Sequence, residues 1–252
     1  MDFSLTIYKR LLITLQARGY SFQAFEDFLD APGKKVVVLR HDVDKLPENA
    51  LKMARLEKEL AIRGSYYFRT VEGVWDEAVM GMIVKLGHEL GYHFEDMAIA
   101  KGDPLKAIQH FKMQLERFRR IYPVKTICMH GSPLSRYANQ KLWQHWDYRD
   151  FGIIGEPYFD VDFNEVFYIT DTGRKWNNEA SNIRDWVDSG YDIPIRSTFH
   201  IMELAGQGRL PDKIMINAHP HRWFDFGMDW IKELVGQNIK NVVKAALIKI
   251  RK

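Results

Sequence analysis

The spacing of apolar residues predicts short strands that alternate with helices along the chain. Val36–Leu39 is an unbroken β-branched and aliphatic run, which is typical of a strand buried on both faces. Six further runs resemble it in length and bounds. The predicted strands are Val36–Leu39, Ser65–Arg69, His88–His93, Thr126–Met129, Phe151–Ile154, Val166–Thr170 and Lys213–Ala218.

Helical segments fill the intervals between these strands. Pro47 suits the first turn of one helix and Gly64 its end. The predicted helices are Pro47–Ile62, Asp76–Leu86, Asp103–Arg120, Asn139–Trp146, Ser197–Ala205 and Asp229–Ile250. Alternation of this kind predicts a parallel α/β fold, as a closed or nearly closed barrel in preference to an open doubly wound sheet. With no repeat or linker, residues 1–252 are expected to form a single domain with helical extensions at both ends.

Composition bears on the binding partners of the protein and on its location in the cell. The chain has 36 Lys and Arg against 33 Asp and Glu, an excess too small to predict nucleic-acid binding. The lone Cys128 excludes an internal disulfide framework. The N-terminal residues are interrupted by Lys9, Arg10 and Arg18, which is unlike a signal peptide. No apolar run reaches the roughly 18 residues of a membrane span. We therefore expect a cytoplasmic protein without stable membrane insertion.

The predicted terminal helix leaves two readings open. Ile231, Leu234 and Val235 begin an apolar pattern at helical spacing, and Lys232 and Lys240 stand among them. Packing of this helix on the barrel is favoured over a position at a membrane surface.

Polar residues gather where the predicted strands end. Five of the seven strands run directly into His or Asp, whereas the strand starts carry no such cluster. The five segments are Arg40-His41-Asp42-Val43-Asp44, Tyr92-His93-Phe94-Glu95-Asp96, Met129-His130-Gly131, Thr170-Asp171-Thr172 and Asn217-Ala218-His219-Pro220-His221. Because parallel strands end on one face of a barrel, these side chains are expected to converge there.

The residue types in this cluster indicate metal chemistry. Asp42 and Asp44 are two apart, so an extended chain places both carboxylates on one face, and a divalent cation relieves their repulsion. His93 would add an imidazole, and such mixed ligands suit Zn²⁺ or a related transition metal. The carboxylate off the metal would accept a proton from water, and His219 would protonate a leaving group. A role as helix N-cap would explain Asp44 considered by itself. It would not explain why His or Asp also follows four other strands.

Five segments, read in order, resemble the polysaccharide deacetylase family, also called NodB-like carbohydrate esterases. They are LRHDVDKLPENALKMARLEKELAIRGSYYF, GHELGYHFED, CMHGSPLSRY, YITDTGR and INAHPHRW, and they span about Arg40 to Trp223. The resemblance implies a distorted (β/α)₇ barrel that removes N- or O-acetyl groups from amino sugars or glycans. It also implies a bound divalent metal, with zinc first and cobalt, nickel or manganese as alternatives.

The resemblance implies a role for each matching residue. Asp42 corresponds to the general base, Asp44 to the metal-binding aspartate and His93 to the first metal histidine. His219 corresponds to the catalytic acid, and Asp171 lies where the family has an acidic residue that orients that acid.

Two departures from the family pattern leave the third metal ligand open. The second metal histidine normally lies four residues after the first, where this chain has Met97, a poor ligand for such a cation. The motif after the fourth predicted strand usually begins with Arg, and here His130 stands in that region. His130 and Glu95 are the candidates for the third ligand, and His130 is favoured because it restores one Asp and two His.

The leading expectation is thus a metal-dependent deacetylase acting on a small-molecule amino sugar or a glycan precursor. Met97 favours a runner-up, a catalytically inactive barrel that binds glycans, and a metal hydrolase of a cyclic amide or ureide is a third possibility. Trp176 and Trp223 lie in loops that follow strands, where stacking on a sugar is possible.

Overall fold

All seven strands in the described part of the chain pair in parallel within one sheet. The computed structural model describes residues 1–132, 135–176, 187–225 and 227–238. The strands are β1 (Ser21–Gln23), β2 (Val36–Val43), β3 (Ser65–Phe68), β4 (Glu89–Phe94), β5 (Ile127–Met129), β6 (Phe167–Thr170) and β7 (Lys213–Ala218). Their order is β5-β4-β3-β2-β7-β6, and β1 pairs with the start of β2. The sheet curls into a half-barrel, which confirms the predicted fold class.

Helices pack around this sheet. They are α1 (Leu5–Ala17), α2 (Phe25–Asp30), α3 (Pro47–Glu59), α4 (Glu77–Lys85), α5 (Asp96–Ile99), α6 (Pro104–Arg119), α7 (Pro157–Asp160), α8 (Thr198–Gly206) and α9 (residues 228–238). Helix α6 begins where Asp103 accepts hydrogen bonds from the backbone N–H groups of Leu105 and Lys106, and Pro104 occupies its first turn. No helix among the described residues is both long enough and apolar enough to cross a membrane.

The two faces of each strand bury different residues. On β2, Val37 and Leu39 pack with the outer helices, whereas Val36 and Val38 join the cluster inside the half-barrel. The same alternation places Cys128 of β5 and Met215 of β7 inside. Residues that share the inner parity and lie near the strand ends therefore point into the mouth of the half-barrel.

The structure corrects the element prediction in one stretch of the chain. Phe151–Ile154 is not a strand: Asp147 caps a 3₁₀ helix over Tyr148–Phe151, and Gly152 ends it with a φ of 71°. Phe151 instead packs against an outer apolar cluster. A short apolar run has no period by which a strand and a packed loop can be told apart.

Two other elements differ from their predictions. The sheet still has seven strands because it contains β1, a three-residue segment that was not predicted and that pairs with β2. The predicted helix Asn139–Trp146 is a 3₁₀ helix over Asn139–Gln144. The predicted terminal helix is helical from residue 228 to 238, and its remainder lies outside the described residues.

Candidate metal and catalytic site

Five side chains from four strand ends meet at the mouth of the half-barrel. Asp42 and Asp44 follow the inner parity of β2, His93 that of β4, His130 continues β5, and His219 continues β7. All five side chains are buried or nearly so. The predicted convergence of strand-end residues is therefore what the fold produces.

Asp44, His93 and His130 bring one ligand atom each within 4.8 Å of one another. The Oδ1 atom of Asp44 lies 3.5 Å from the Nε2 atoms of both histidines. This oxygen is buried and receives no hydrogen bond from any described residue. A buried oxygen without a donor, flanked by two imidazole nitrogens, fits a divalent cation, because the ion satisfies all three atoms at once.

Hydrogen bonding sets the tautomer of the His93 ring. Its Nδ1 lies 3.0 Å from the carbonyl oxygen of Cys128, which can only accept, so Nδ1 carries the proton. The lone pair is then on Nε2, the atom that faces Asp44. This is the arrangement that metal-binding histidines ordinarily have.

The His130 ring is oriented in the same way by a carboxylate. Its Nδ1 lies 2.9 Å from Oε2 of Glu95, and Arg69 donates to both oxygens of Glu95 at 2.7 and 2.9 Å. Burial alone would raise the pKa of the Glu95 carboxyl, but hydrogen bonds from His130 and Arg69 lower it to about 2. Glu95 is therefore directed at His130 and Arg69, and His130 Nε2 is directed at Asp44.

Met97 lies away from this centre. The chain turns into α5 after Glu95, and the Met97 side chain is buried in the apolar cluster beneath α4 and α6. Position 97 therefore contributes to the core, and the imidazole nearest to Asp44 and His93 comes from His130 of the neighbouring strand.

Asp42 is held by a buried ion pair with Arg40, a residue that the pattern of His and Asp at the strand ends does not single out. Arg40 donates Nε and Nη2 to the two carboxylate oxygens at 2.9 and 2.6 Å, and Asn217 donates at 3.1 Å. Burial alone would raise the pKa of Asp42, but the charges of Arg40 and His93 hold that pKa well below its usual range. Oδ2 of Asp42 lies 3.8 Å from His93 Nε2. Because Arg40 and Asp42 are two apart on a strand, their spacing was the signal for this pair.

His219 and Asp171 form a second oriented pair. The Nδ1 atom of His219 lies 2.6 Å from Oδ1 of Asp171, and its backbone N–H also donates to that carboxylate. Arg222 and Trp223 donate to the two Asp171 oxygens at 2.8 and 2.7 Å. Burial alone would raise the pKa of Asp171, but the charges of His219 and Arg222 lower it to about 2. The other nitrogen of His219, Nε2, lies 4.0 Å from Asp44.

The two tryptophans for which the sequence left stacking on a sugar open, Trp176 and Trp223, are buried. Trp223 is fully enclosed and packs against Phe3 and Tyr8, and Trp176 is 4% exposed and donates to Thr198. Trp223 serves the site through its hydrogen bond to Asp171, a role that only the folded structure reveals.

Three other histidines, His41, His88 and His221, lie outside the cluster of Asp44, His93 and His130. His41 has the outer parity of β2, and its ring lies 2.9 Å from Glu57 of α3, away from the site. His88, just before β4, hydrogen-bonds with the Ala54 carbonyl of α3 and so serves the packing of that helix. His221 packs beside His219, and burial lowers its pKa well below the usual range.

No family model matches the chain, and no curated protein matches it. Solved structures of similar shape include a CE4 esterase of Streptococcus mutans, 12% identical with a TM-score of 0.45, which covers 94% of this chain and 91% of that one. A CE4 family pseudoenzyme from Bacillus anthracis is 11% identical with a TM-score of 0.45 over 84% of this chain. This chain spans only 62% of that protein's length. The peptidoglycan deacetylase PdaC of Bacillus subtilis is 13% identical with a TM-score of 0.41, and the match covers 86% of this chain and 98% of that one.

Proposed function

We propose that this chain is a metal-dependent hydrolase that removes an acetyl or other acyl group from an amino sugar or glycan precursor. The observation that carries the proposal is the cluster of Asp44, His93 and His130, in which a buried carboxylate oxygen has no donor and both imidazoles direct Nε2 inward. The oriented His219–Asp171 pair stands beside it. Together these groups would supply metal ligands and a proton carrier at the mouth of the half-barrel.

In this proposal Asp44, His93 and His130 hold the ion. One Asp and two His leave open coordination positions and suit zinc first, with cobalt, nickel or manganese as alternatives. A divalent ion bound there would polarise an acyl carbonyl and make a water molecule more acidic.

The remaining residues act on protons. Arg40 holds the pKa of Asp42 well below its usual range, which favours the carboxylate form that accepts a proton from attacking water. His219 presents Nε2 to the pocket while Asp171 holds Nδ1, so a proton on Nε2 is positioned for transfer to the departing amine or alkoxide. Asp171 also fixes the orientation of this ring, as a carboxylate partner does in other oriented His–Asp pairs.

The test joins metal content with turnover. Protein purified without chelator should contain close to one divalent ion per chain. Asp44→Ala, His93→Ala and His130→Ala should each lose it, whereas Met97→Leu should retain it because position 97 lies in the core. Wild-type protein that binds no metal under any loading condition would contradict the proposal.

The role of Asp42 is tested separately. Asp42→Asn should retain the metal while turnover of an acetylated amino sugar falls by about a hundredfold or more. The substitution leaves Arg40 without its anionic partner at a cost of about 3–5 kcal/mol, so the free energy of unfolding is measured alongside. Near-normal turnover by a folded, metal-loaded variant would remove Asp42 from the chemistry.

One observation favours a second candidate function, a catalytically inactive barrel that binds glycans. Both oxygens of Asp42 already accept hydrogen bonds from Arg40, and Asn217 adds a third. A carboxylate so occupied is a weaker base. Binding of acetylated amino sugars without turnover by metal-loaded protein would select this function.

A further inference from the structure

The outward face of helix α9 is apolar. Met228 is 66% exposed, Ile231 42% and Val235 52%. At about 100° per residue, these three positions fall within an arc of about 60° on the helix. Lys232 is exposed at the border of the same arc, and its Nζ atom lies 3.6 Å from the exposed Asp229 of the same helix. We call Met228, Ile231, Lys232 and Val235 the outer face of α9.

The opposite face of α9 docks on the protein through mixed contacts. Trp230 is buried, and its indole N–H donates to the backbone carbonyl of Asp2 at 3.1 Å. The Arg174 guanidinium lies 4.8 Å from the Trp230 ring centroid, and Gln237 is buried on the same side. A surface helix ordinarily turns its apolar residues toward the core, whereas α9 exposes three of its apolar residues to solvent.

Single exposed apolar residues are ordinary on a protein surface, and Ile13 of α1 is an example at 46% exposure. The outer face of α9 differs because three such side chains share one narrow arc. The expectation that Ile231 and Val235 pack on the barrel is therefore wrong for these two residues.

Charge indicates what covers this face. The sequence that follows α9, residues 239–252, contains five cationic residues and no Asp or Glu; they are Lys240, Lys244, Lys249, Arg251 and Lys252. An anionic lipid surface offers apolar depth and negative charge together.

We propose that the outer face of α9 docks the protein on a membrane surface that contains anionic lipid. Met228, Ile231 and Val235 would lie at the boundary between headgroups and acyl chains, while Lys232 remains among the headgroups. The proposed docking rests on the outer face of α9 and on the cationic sequence that follows it, and it is independent of the proposed hydrolase function.

Vesicle sedimentation with the full chain tests this proposal. The protein should bind phosphatidylcholine vesicles that contain about a third phosphatidylglycerol, and binding should weaken with added salt. The double substitution Ile231→Asp with Val235→Asp should reduce the bound fraction about tenfold or more. Ile13→Asp with Met113→Asp is the matched control, since it adds the same two charges at similar exposure on α1 and α6, and it should bind much more strongly than the α9 double variant.

Three outcomes would overturn the proposal. The first is equal binding to vesicles of phosphatidylcholine alone. The second is wild-type binding by the double variant, with circular dichroism showing that it is folded. The third is a dimer in light scattering that the double variant dissolves, since a second copy would then cover the outer face of α9.

Discussion

At the scale of single residues, the most informative contact is the one that orients His130. Glu95 accepts from the ring, and Arg69 fixes Glu95 from the other side. A carboxylate behind a metal histidine sets its tautomer and raises its basicity. Glu95 is thus a positioning residue in the proposed site rather than a ligand.

Glu95→Gln tests this positioning role. The substitution keeps the shape but removes the charge, so metal affinity should fall about 10- to 100-fold. Glu89→Gln is the matched control, because Glu89 is equally buried at the opposite end of β4 and should leave affinity unchanged. Titration with a competing chelator measures both. Wild-type affinity in Glu95→Gln would contradict the role.

His219→Ala tests the proton donor. Loss of the acid should slow an amide substrate more than an activated ester, because a phenolate departs with little protonation. His221→Ala is the control: it makes the same change two residues away, without the hydrogen bond to Asp171. Rates on paired amide and ester substrates measure the difference. Equal losses on both substrates would count against His219.

At the scale of elements, the packing of β3 against β4 requires a glycine at position 91. Gly91 lies opposite Tyr67 in the register, and a Cβ at Gly91 would overlap the Tyr67 ring. Both residues have the inner parity of their strands, and Tyr67 belongs to the cluster inside the half-barrel. The missing side chain on β4 therefore gives the ring its space.

Gly91→Ala should overpack this position and lower the free energy of unfolding by about 1–3 kcal/mol. Gly91→Ala should cost less stability when it is introduced into the Tyr67→Leu variant than when it is introduced into the wild type. The smaller Leu side chain leaves room for the added methyl group. Urea unfolding of the two single variants and the double variant provides the coupling energy. Additive losses would mean that the ring and the glycine are not coupled.

At the scale of the whole molecule, the proposed metal joins three separate strand ends, β2, β4 and β5. A ligand that binds only the folded state stabilises it by about 2.7 kcal/mol at one hundred times its dissociation constant. We therefore expect zinc to raise the urea midpoint and a chelator to reverse the rise. Asp44→Asn should abolish this response. A midpoint indifferent to metal, or a full response in Asp44→Asn, would contradict a site at these strand ends.

The sequence alone determined the class of fold and the place where the His and Asp side chains gather. Apolar period and strand length predicted the parallel α/β fold, since buried parallel strands need continuous apolar runs. His and Asp at five strand ends predicted one polar mouth, because parallel strands share a direction. Both properties are local, because they depend only on the spacing of apolar and polar residues along the chain.

Only the tertiary structure decided which side chains meet. The pairing of β4 with β5 brings His130 beside His93, and the start of α5 turns Met97 into the core. The contact of Trp223 with Asp171 crosses 52 positions of sequence. Phe151–Ile154 reads as a strand by composition, but Gly152 and the packing of Phe151 decide otherwise. Such outcomes depend on strand order and packing between distant segments, which no local pattern of residues encodes.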